Sequence, residues 1–165
     1  MILQVDDWRF DIDLKATMAY SAEEVSDHCT CDYCLNFYAT IDRAYPDIRP
    51  FLARFAVDIE GPDELMTFDH TRYLGAYAVS GHILQFGSAP IRVNGISILP
   101  ENAEDAMVNT GCLSPFFILT VGMLTLPWVL EVAPEDVVSP ANTPSFLRKM
   151  WDKIMKYRPM DDLLS

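Results

Sequence analysis

Residues 91 to 99 read Ile91-Arg92-Val93-Asn94-Gly95-Ile96-Ser97-Ile98-Leu99. An Asn-Gly pair between β-branched residues is the strongest short signal for a two-residue hairpin, so this stretch predicts two antiparallel strands. Strand patterns continue on both sides of it, from Tyr73 to Phe86 and from Phe116 to Leu130. The middle of the chain therefore predicts an antiparallel sheet over residues 72–130.

The spacing of apolar residues predicts a hairpin before this sheet and helices around it. Trp8, Phe10 and Ile12 alternate with polar residues, which is typical of a half-buried strand. Residues 15–30 are polar and irregular, and within them only the run from Ser21 to Glu24 resembles a helix start. The first helix is therefore expected further along the chain.

Helical spacing begins after the irregular segment. Tyr33, Phe37 and Ile41 recur every four residues, which predicts a helix over residues 32–44 with Asp32 as its cap. A second, shorter apolar stripe starts at Ile48 and predicts an adjacent short helix.

The order of these elements predicts one α+β domain over residues 1–165. A hairpin at residues 1–14 precedes a cysteine knuckle and helix pair at residues 28–57, and the sheet follows at residues 72–130. Residues 144–158 carry a further apolar stripe and predict a C-terminal amphipathic helix. We expect a mostly antiparallel sheet covered by the two short adjacent helices and this terminal helix.

The chain is strongly acidic, with 24 Asp and Glu against 12 Lys and Arg and a net charge of −12. Such a charge repels phosphate backbones and anionic membranes and attracts basic surfaces, so we expect no direct nucleic-acid or membrane binding. Residues 1–7 lack the positive region of a signal peptide, and the apolar stretch from Phe116 is too short for a membrane span. These features predict a cytoplasmic protein.

Three cysteines, Cys29, Cys31 and Cys34, form a C-x-C-x-x-C knuckle that enters the predicted helix. A short loop lets successive thiols turn towards one ion, and a helix N-terminus favours thiolates, so the spacing predicts a structural zinc site. Buried free thiols, or a redox pair formed by Cys31 and Cys34, remain alternatives.

A structural zinc site needs a fourth ligand. Cys112 is the first choice because it follows Gly111 in a loop that could fold over the knuckle. His28 and His82 stay open as alternatives, although neighbouring residues such as His28 and Cys29 rarely point in the same direction.

Acidic loops join the predicted elements, and the nucleotide-binding, metalloprotease and serine-hydrolase motifs are absent from the sequence. Carboxylates spaced along loops resemble the field of a nucleic-acid backbone, so they predict a non-enzymatic inhibitor that binds a basic nucleic-acid-handling protein. A metal- or thiol-dependent enzyme and an interaction module that forms a homodimer are the alternatives. The candidate partner-binding residues are Asp58, Glu60, Asp63, Glu64, Glu101, Glu104 and Asp105.

One part of the sequence, residues 28–66, resembles known proteins. It contains Cys29-Thr30-Cys31-Asp32-Tyr33-Cys34-Leu35-Asn36-Phe37-Tyr38, followed by Tyr45-Pro46-Asp47-Ile48 and the acidic turn from Val57 to Leu65. This pattern resembles a group of small uncharacterised bacterial and phage-associated proteins, and the resemblance implies no activity. An acidic, metal-knuckled protein of this kind also resembles the anti-CRISPR inhibitors of mobile elements. That resemblance implies a Cas effector as partner and a bacterial host cell as location.

Overall fold

The computed structural model describes residues 1–132, and within them seven strands and three helices follow one another along the chain. The predicted helix at residues 144–158 lies outside the described residues. The elements are β1 (Ile2–Val5), β2 (Trp8–Ile12), α1 (Leu14–Ser26), α2 (Asp32–Ala44), α3 (Ile48–Ala53), β3 (Glu64–Thr67), β4 (Arg72–Gln85), β5 (Ile91–Val93), β6 (Ile96–Asn102) and β7 (Phe116–Thr125).

All strand pairs in the sheet are antiparallel, in the order β1-β2-β4-β7-β6-β5, with β3 also beside β4. The length of β4 explains this arrangement. Residues Tyr73–Ala76 pair with β3 and residues Gly81–Gln85 pair with β2, while β7 lies along the other side of β4. The prediction of an α+β fold with a mostly antiparallel sheet is confirmed.

The larger core lies on the sheet face that α2 and α3 cover. It contains several aromatic side chains, each of which buries a large apolar area. Phe10 of β2 lies 5.2 Å from Phe55, which follows α3, and 5.3 Å from Phe117 of β7, measured between ring centroids. Phe37 and Ile41 of α2 are fully buried in the same cluster.

A smaller core lies on the opposite face of the sheet. Leu74, Ala76 and Ala78 of β4 belong to it, whereas Tyr73 and Tyr77 belong to the larger core. This division follows from the two-residue period of a strand. The smaller core is closed by Tyr20 of α1 and by part of the connection between β6 and β7.

Helix α1 occupies a segment that the sequence predicted to be irregular. Its buried positions are Thr17 and Ser21, so the segment lacks the apolar stripe by which an amphipathic helix is recognised. Asp13 caps the helix by accepting a hydrogen bond from the Ala16 amide at 2.9 Å. The Thr17 hydroxyl accepts a bond from the Ser80 amide of β4, which ties this polar face to the sheet.

Three strands also differ from the prediction. β3 lies in a segment for which no strand was predicted, and β7 ends at Thr125. β6 continues through Pro100 to Asn102. Pro100 is tolerated because β5 pairs only with residues 96–98, so β6 is paired on one side alone at this point.

We expect Phe10→Ala to lower the free energy of unfolding by about 3–5 kcal/mol, because it empties the centre of the larger core. The matched control is Phe86→Ala, since Phe86 is 53% exposed and Phe10 is 0% exposed. The control should cost less than about 1 kcal/mol. Chemical denaturation of both variants measures the difference, and equal losses would contradict the assignment of Phe10 to the core.

Candidate metal centre

The knuckle lies where the chain enters α2. Residues 28–30 are in neither helix nor strand, Cys31 is the N-cap residue of α2, and Cys34 lies in its first turn. Asp32 is thus the first helical residue and not the cap that the sequence predicted. The Cys31 backbone is extended, with φ −66° and ψ 160°, which is typical of an N-cap residue.

This local geometry brings the three sulfur atoms together. The Sγ atoms of Cys29, Cys31 and Cys34 all lie within 4.8 Å of one another. Cys34 is buried, and Cys29 and Cys31 are exposed. Three close thiols can hold a metal ion, which agrees with the interpretation of the spacing.

The pKa values of Cys29 and Cys34 are shifted in opposite directions. The backbone N–H of Cys31 donates to Cys29 Sγ at 3.4 Å, and this bond, together with the neighbouring thiols, lowers the pKa of Cys29. Burial raises the pKa of Cys34, and the thiols of Cys31 and Cys29 raise it further. A cation at this position would stabilise the Cys34 thiolate, which burial otherwise disfavours.

Two aromatic rings stand beside the sulfur atoms. The Tyr38 hydroxyl interacts with Cys34, and burial raises the pKa of Tyr38. The imidazole of His28 stacks on the Tyr38 ring, with centroids 4.5 Å apart and planes 21° apart. His28 Nδ1 is buried and has no hydrogen-bond partner among the described residues. Burying such a group unpaired costs about 1–3 kcal/mol.

Cys112, the first choice for the fourth metal ligand, does not lie with the other three cysteines. The loop that carries Cys112 does fold over a helix, but the helix is α1, because the Gly111 amide donates to the Tyr20 hydroxyl at 3.1 Å. Cys112 Sγ lies 3.6 Å from the Ser80 hydroxyl and packs in the smaller core, on the sheet face opposite α2. It is therefore outside the three-cysteine group.

His82, the other distant candidate, is also outside the group. It is exposed near the end of β4, where it pairs with Asp11 of β2. Sequence spacing gave no indication of which sheet face or edge these two residues would occupy.

Among the candidate partner-binding carboxylates, Asp63, Glu64 and Glu101 accept hydrogen bonds within the protein. Asp63 accepts hydrogen bonds from the Tyr20 hydroxyl at 2.5 Å and from the Ala78 amide at 2.7 Å. Glu64 accepts a bond from the Asn109 amide at 3.2 Å. Glu101 is only 7% exposed and accepts a bond from the Thr120 hydroxyl.

A second set of acids is gathered around one guanidinium. Arg49 donates to Asp42 through Nε and Nη2 at 2.8 and 2.9 Å, to Asp58 at 2.9 Å and to Glu60 at 2.8 Å. We call these four residues the Arg49 cluster. Asp58 is exposed and Glu60 is half-buried, and Glu104 and Asp105 are exposed as well.

The sequence did not indicate an open cleft beside α1. Its volume is about 1050 Å³, and its lining includes Glu23, Ser80, His82 and Cys112. Burial raises the pKa of Cys112, which keeps its thiol protonated and makes it a poor nucleophile. The cleft therefore lacks an activated thiol at Cys112.

Comparisons with protein-family models, with curated proteins and with solved structures found no match to this chain. Among the helices between residues 1 and 132, none has the length and apolar character needed to cross a bilayer.

The cysteines offer a matched pair of variants, because Cys34 and Cys112 are 7% and 8% exposed. We expect Cys34→Ser to abolish metal binding and to lower Tm by roughly 10 °C, since a structural metal contributes directly to folding. Cys112→Ser should retain about one metal ion per chain. Elemental analysis and thermal melts, with and without a chelator, test both expectations. Metal loss in Cys112→Ser, or its retention in Cys34→Ser, would contradict this centre.

Proposed function

We propose that the protein is a non-enzymatic, acidic inhibitor that is stabilised by a zinc ion and binds a basic nucleic-acid-handling protein. Charge is the observation that carries this proposal. The chain has a net charge of −12, and Asp58, Glu104 and Asp105 are exposed among its candidate contact residues. Carboxylates spread over a surface compete with a nucleic-acid backbone for a basic groove.

Zinc is the metal that suits this donor set. Thiolates are soft ligands, and zinc sites with several cysteines are typically four-coordinate and structural. Cys29, Cys31 and Cys34 supply three of the ligands. The ion would fix the loop at residues 28–31 against α2, because its binding free energy is also folding free energy.

The Arg49 cluster gives part of the acidic surface a fixed geometry. Three carboxylates share one guanidinium, so the cluster remains negative while its side chains are held in place. Ordered side chains lose less conformational entropy when a partner binds. Lys or Arg side chains of a partner would thus meet Asp58 and Glu60 already oriented.

The specific partner that we propose is a Cas effector of the Cas9 type in the bacterial cytoplasm. The resemblance of this acidic, cysteine-knuckled chain to anti-CRISPR inhibitors supports this choice. Such an effector holds the guide–target heteroduplex in a positively charged channel, which is complementary in sign to the exposed carboxylates. Inhibition would consist of keeping guide or target nucleic acid out of that channel.

A thiol-dependent enzyme is the second candidate, and Cys29 is the observation that favours it. Cys29 is exposed and its pKa is lowered, which are the properties of a reactive thiol. A metal bound by Cys29 would mask the thiol. Alkylation of Cys29 by iodoacetamide at the same rate with and without zinc would therefore favour the enzyme over the inhibitor.

We expect the protein to inhibit DNA cleavage by a purified, guide-loaded Cas9-type nuclease without any turnover of its own. Inhibition should weaken strongly between about 0.05 M and about 0.5 M salt, because exposed charge pairs are screened. The double substitution Glu104→Gln and Asp105→Asn should weaken binding about tenfold, equivalent to about 1.4 kcal/mol.

The matched control removes two exposed charges outside the candidate contact set, by Glu23→Gln and Asp27→Asn. If both doubles weaken binding equally, net charge and not a local contact is responsible. An absence of inhibition and of binding at low salt would overturn the choice of partner.

A further inference from the structure

Tyr38 connects His28 to the three-cysteine group. The imidazole stacks on the Tyr38 ring at 4.5 Å, and the Tyr38 hydroxyl interacts with Cys34. Tyr38 therefore interacts with both the imidazole and a cysteine of the group, so His28 lies in the neighbourhood of the thiols. Residues 28–30 are in neither helix nor strand, so the side chains of His28 and Cys29 are not forced to opposite sides as they would be in a strand.

The Nδ1 atom of His28 lacks the partner that a buried nitrogen needs. It is buried and makes no hydrogen bond to any described residue. Buried polar atoms are hydrogen-bonded in the great majority of cases, and an exception calls for a specific reason such as an ion. A neutral imidazole offers one nitrogen lone pair, and Cys₃His is a standard donor set for structural zinc.

We propose that His28 Nδ1 is the fourth ligand of the metal, which completes a Cys₃His site with Cys29, Cys31 and Cys34. This inference rests on the proposed zinc site and names its missing ligand. All four ligands then come from seven consecutive residues, 28–34, at the start of α2. The two distant candidates, Cys112 and His82, are held on the opposite sheet face and near the end of β4.

Ligation requires a local rearrangement. The group whose ligand atoms lie within 4.8 Å of one another contains the three cysteines and not His28. Cys29 and Cys31 are exposed and the Cys31 side chain makes no capping hydrogen bond to α2, so turning these side chains towards an ion breaks no cap. Buried Cys34 would stay in place while the loop and the imidazole turn towards it.

A closed site has a functional consequence. Four protein ligands leave no open coordination position for a water molecule or a substrate, and that closure separates structural zinc sites from catalytic ones. The proposal therefore assigns the metal to holding the loop before α2, and it argues against the metal-dependent enzyme.

The test uses cobalt in place of zinc in the full chain, because cobalt absorption reports the number of thiolate ligands and the geometry. We expect His28→Ala to weaken cobalt and zinc binding by at least about 100-fold, more than the loss of a typical outer-shell partner. His82→Ala is the matched histidine control and should bind with unchanged affinity and spectrum. His28→Cys should restore tight binding and add a thiolate-to-cobalt charge-transfer band.

The outcomes separate this proposal from the zinc site itself. If the unaltered protein binds no metal, the zinc site fails. If it binds metal, and His28→Ala leaves affinity and spectrum unchanged, the three-cysteine site stands and His28 is not its ligand. If His28→Ala does not fold, the His28→Cys spectrum decides, since an unchanged number of thiolate ligands would overturn the proposal.

Discussion

The central strand β4 is the element on which the rest of the structure depends, because it pairs with neighbours along both sides and carries a core on each face. Its residues alternate between the two cores, with Tyr73 and Tyr77 facing α2 and α3 and with Leu74 and Ala76 facing α1. Both tyrosine hydroxyls are buried and both are hydrogen-bonded. Tyr77 donates to the Ile59 carbonyl at 2.9 Å, and Tyr73 accepts from Asn36 at 3.1 Å. These bonds fix the strand register and the position of α2, since an unpaired buried hydroxyl would be costly.

Asn36 links the cysteine knuckle to the sheet. It is fully buried, lies two residues after Cys34, and its amide group makes three hydrogen bonds. Two of them, from Nδ2 to the Pro127 carbonyl and from the Val129 amide to Oδ1, join α2 to the chain beyond β7. Cys34 is thus anchored by the sheet, whereas Cys29 and Cys31 are exposed on the loop. A metal ion at this point would tie a surface loop to a helix that the core already holds, which is an arrangement suited to a structural ion.

Local signals in the sequence were sufficient for some elements and not for others. The strand pairing at Asn94-Gly95 and the bounds of α2 were predictable, because turn chemistry and apolar spacing act over a few residues. Helix α1 was not, since its buried Thr17 and Ser21 hydroxyls are satisfied by distant amides, those of Ser80 and Asp58. The sulfur cluster was predictable from spacing alone. Its surroundings were not, because the sheet face reached by Cys112 depends on contacts between residues far apart in the sequence.

The positions of the charged residues were likewise predictable only in part. Composition predicted an acidic body, but not that Asp63 would face inward and bond Tyr20 and Ala78. Burial raises the pKa of Tyr20, and the hydrogen bond to Asp63 raises it further. Burial also raises the pKa of Glu24, and the nearby charge of Asp63 adds to that increase. Carboxylates that serve the fold account for part of the acidity, and the exposed ones repel one another and oppose compaction. A domain with such a surface needs stabilising interactions that do not depend on surface charge. The Asn36 bonds supply one, and the proposed zinc site would supply another within the same helix.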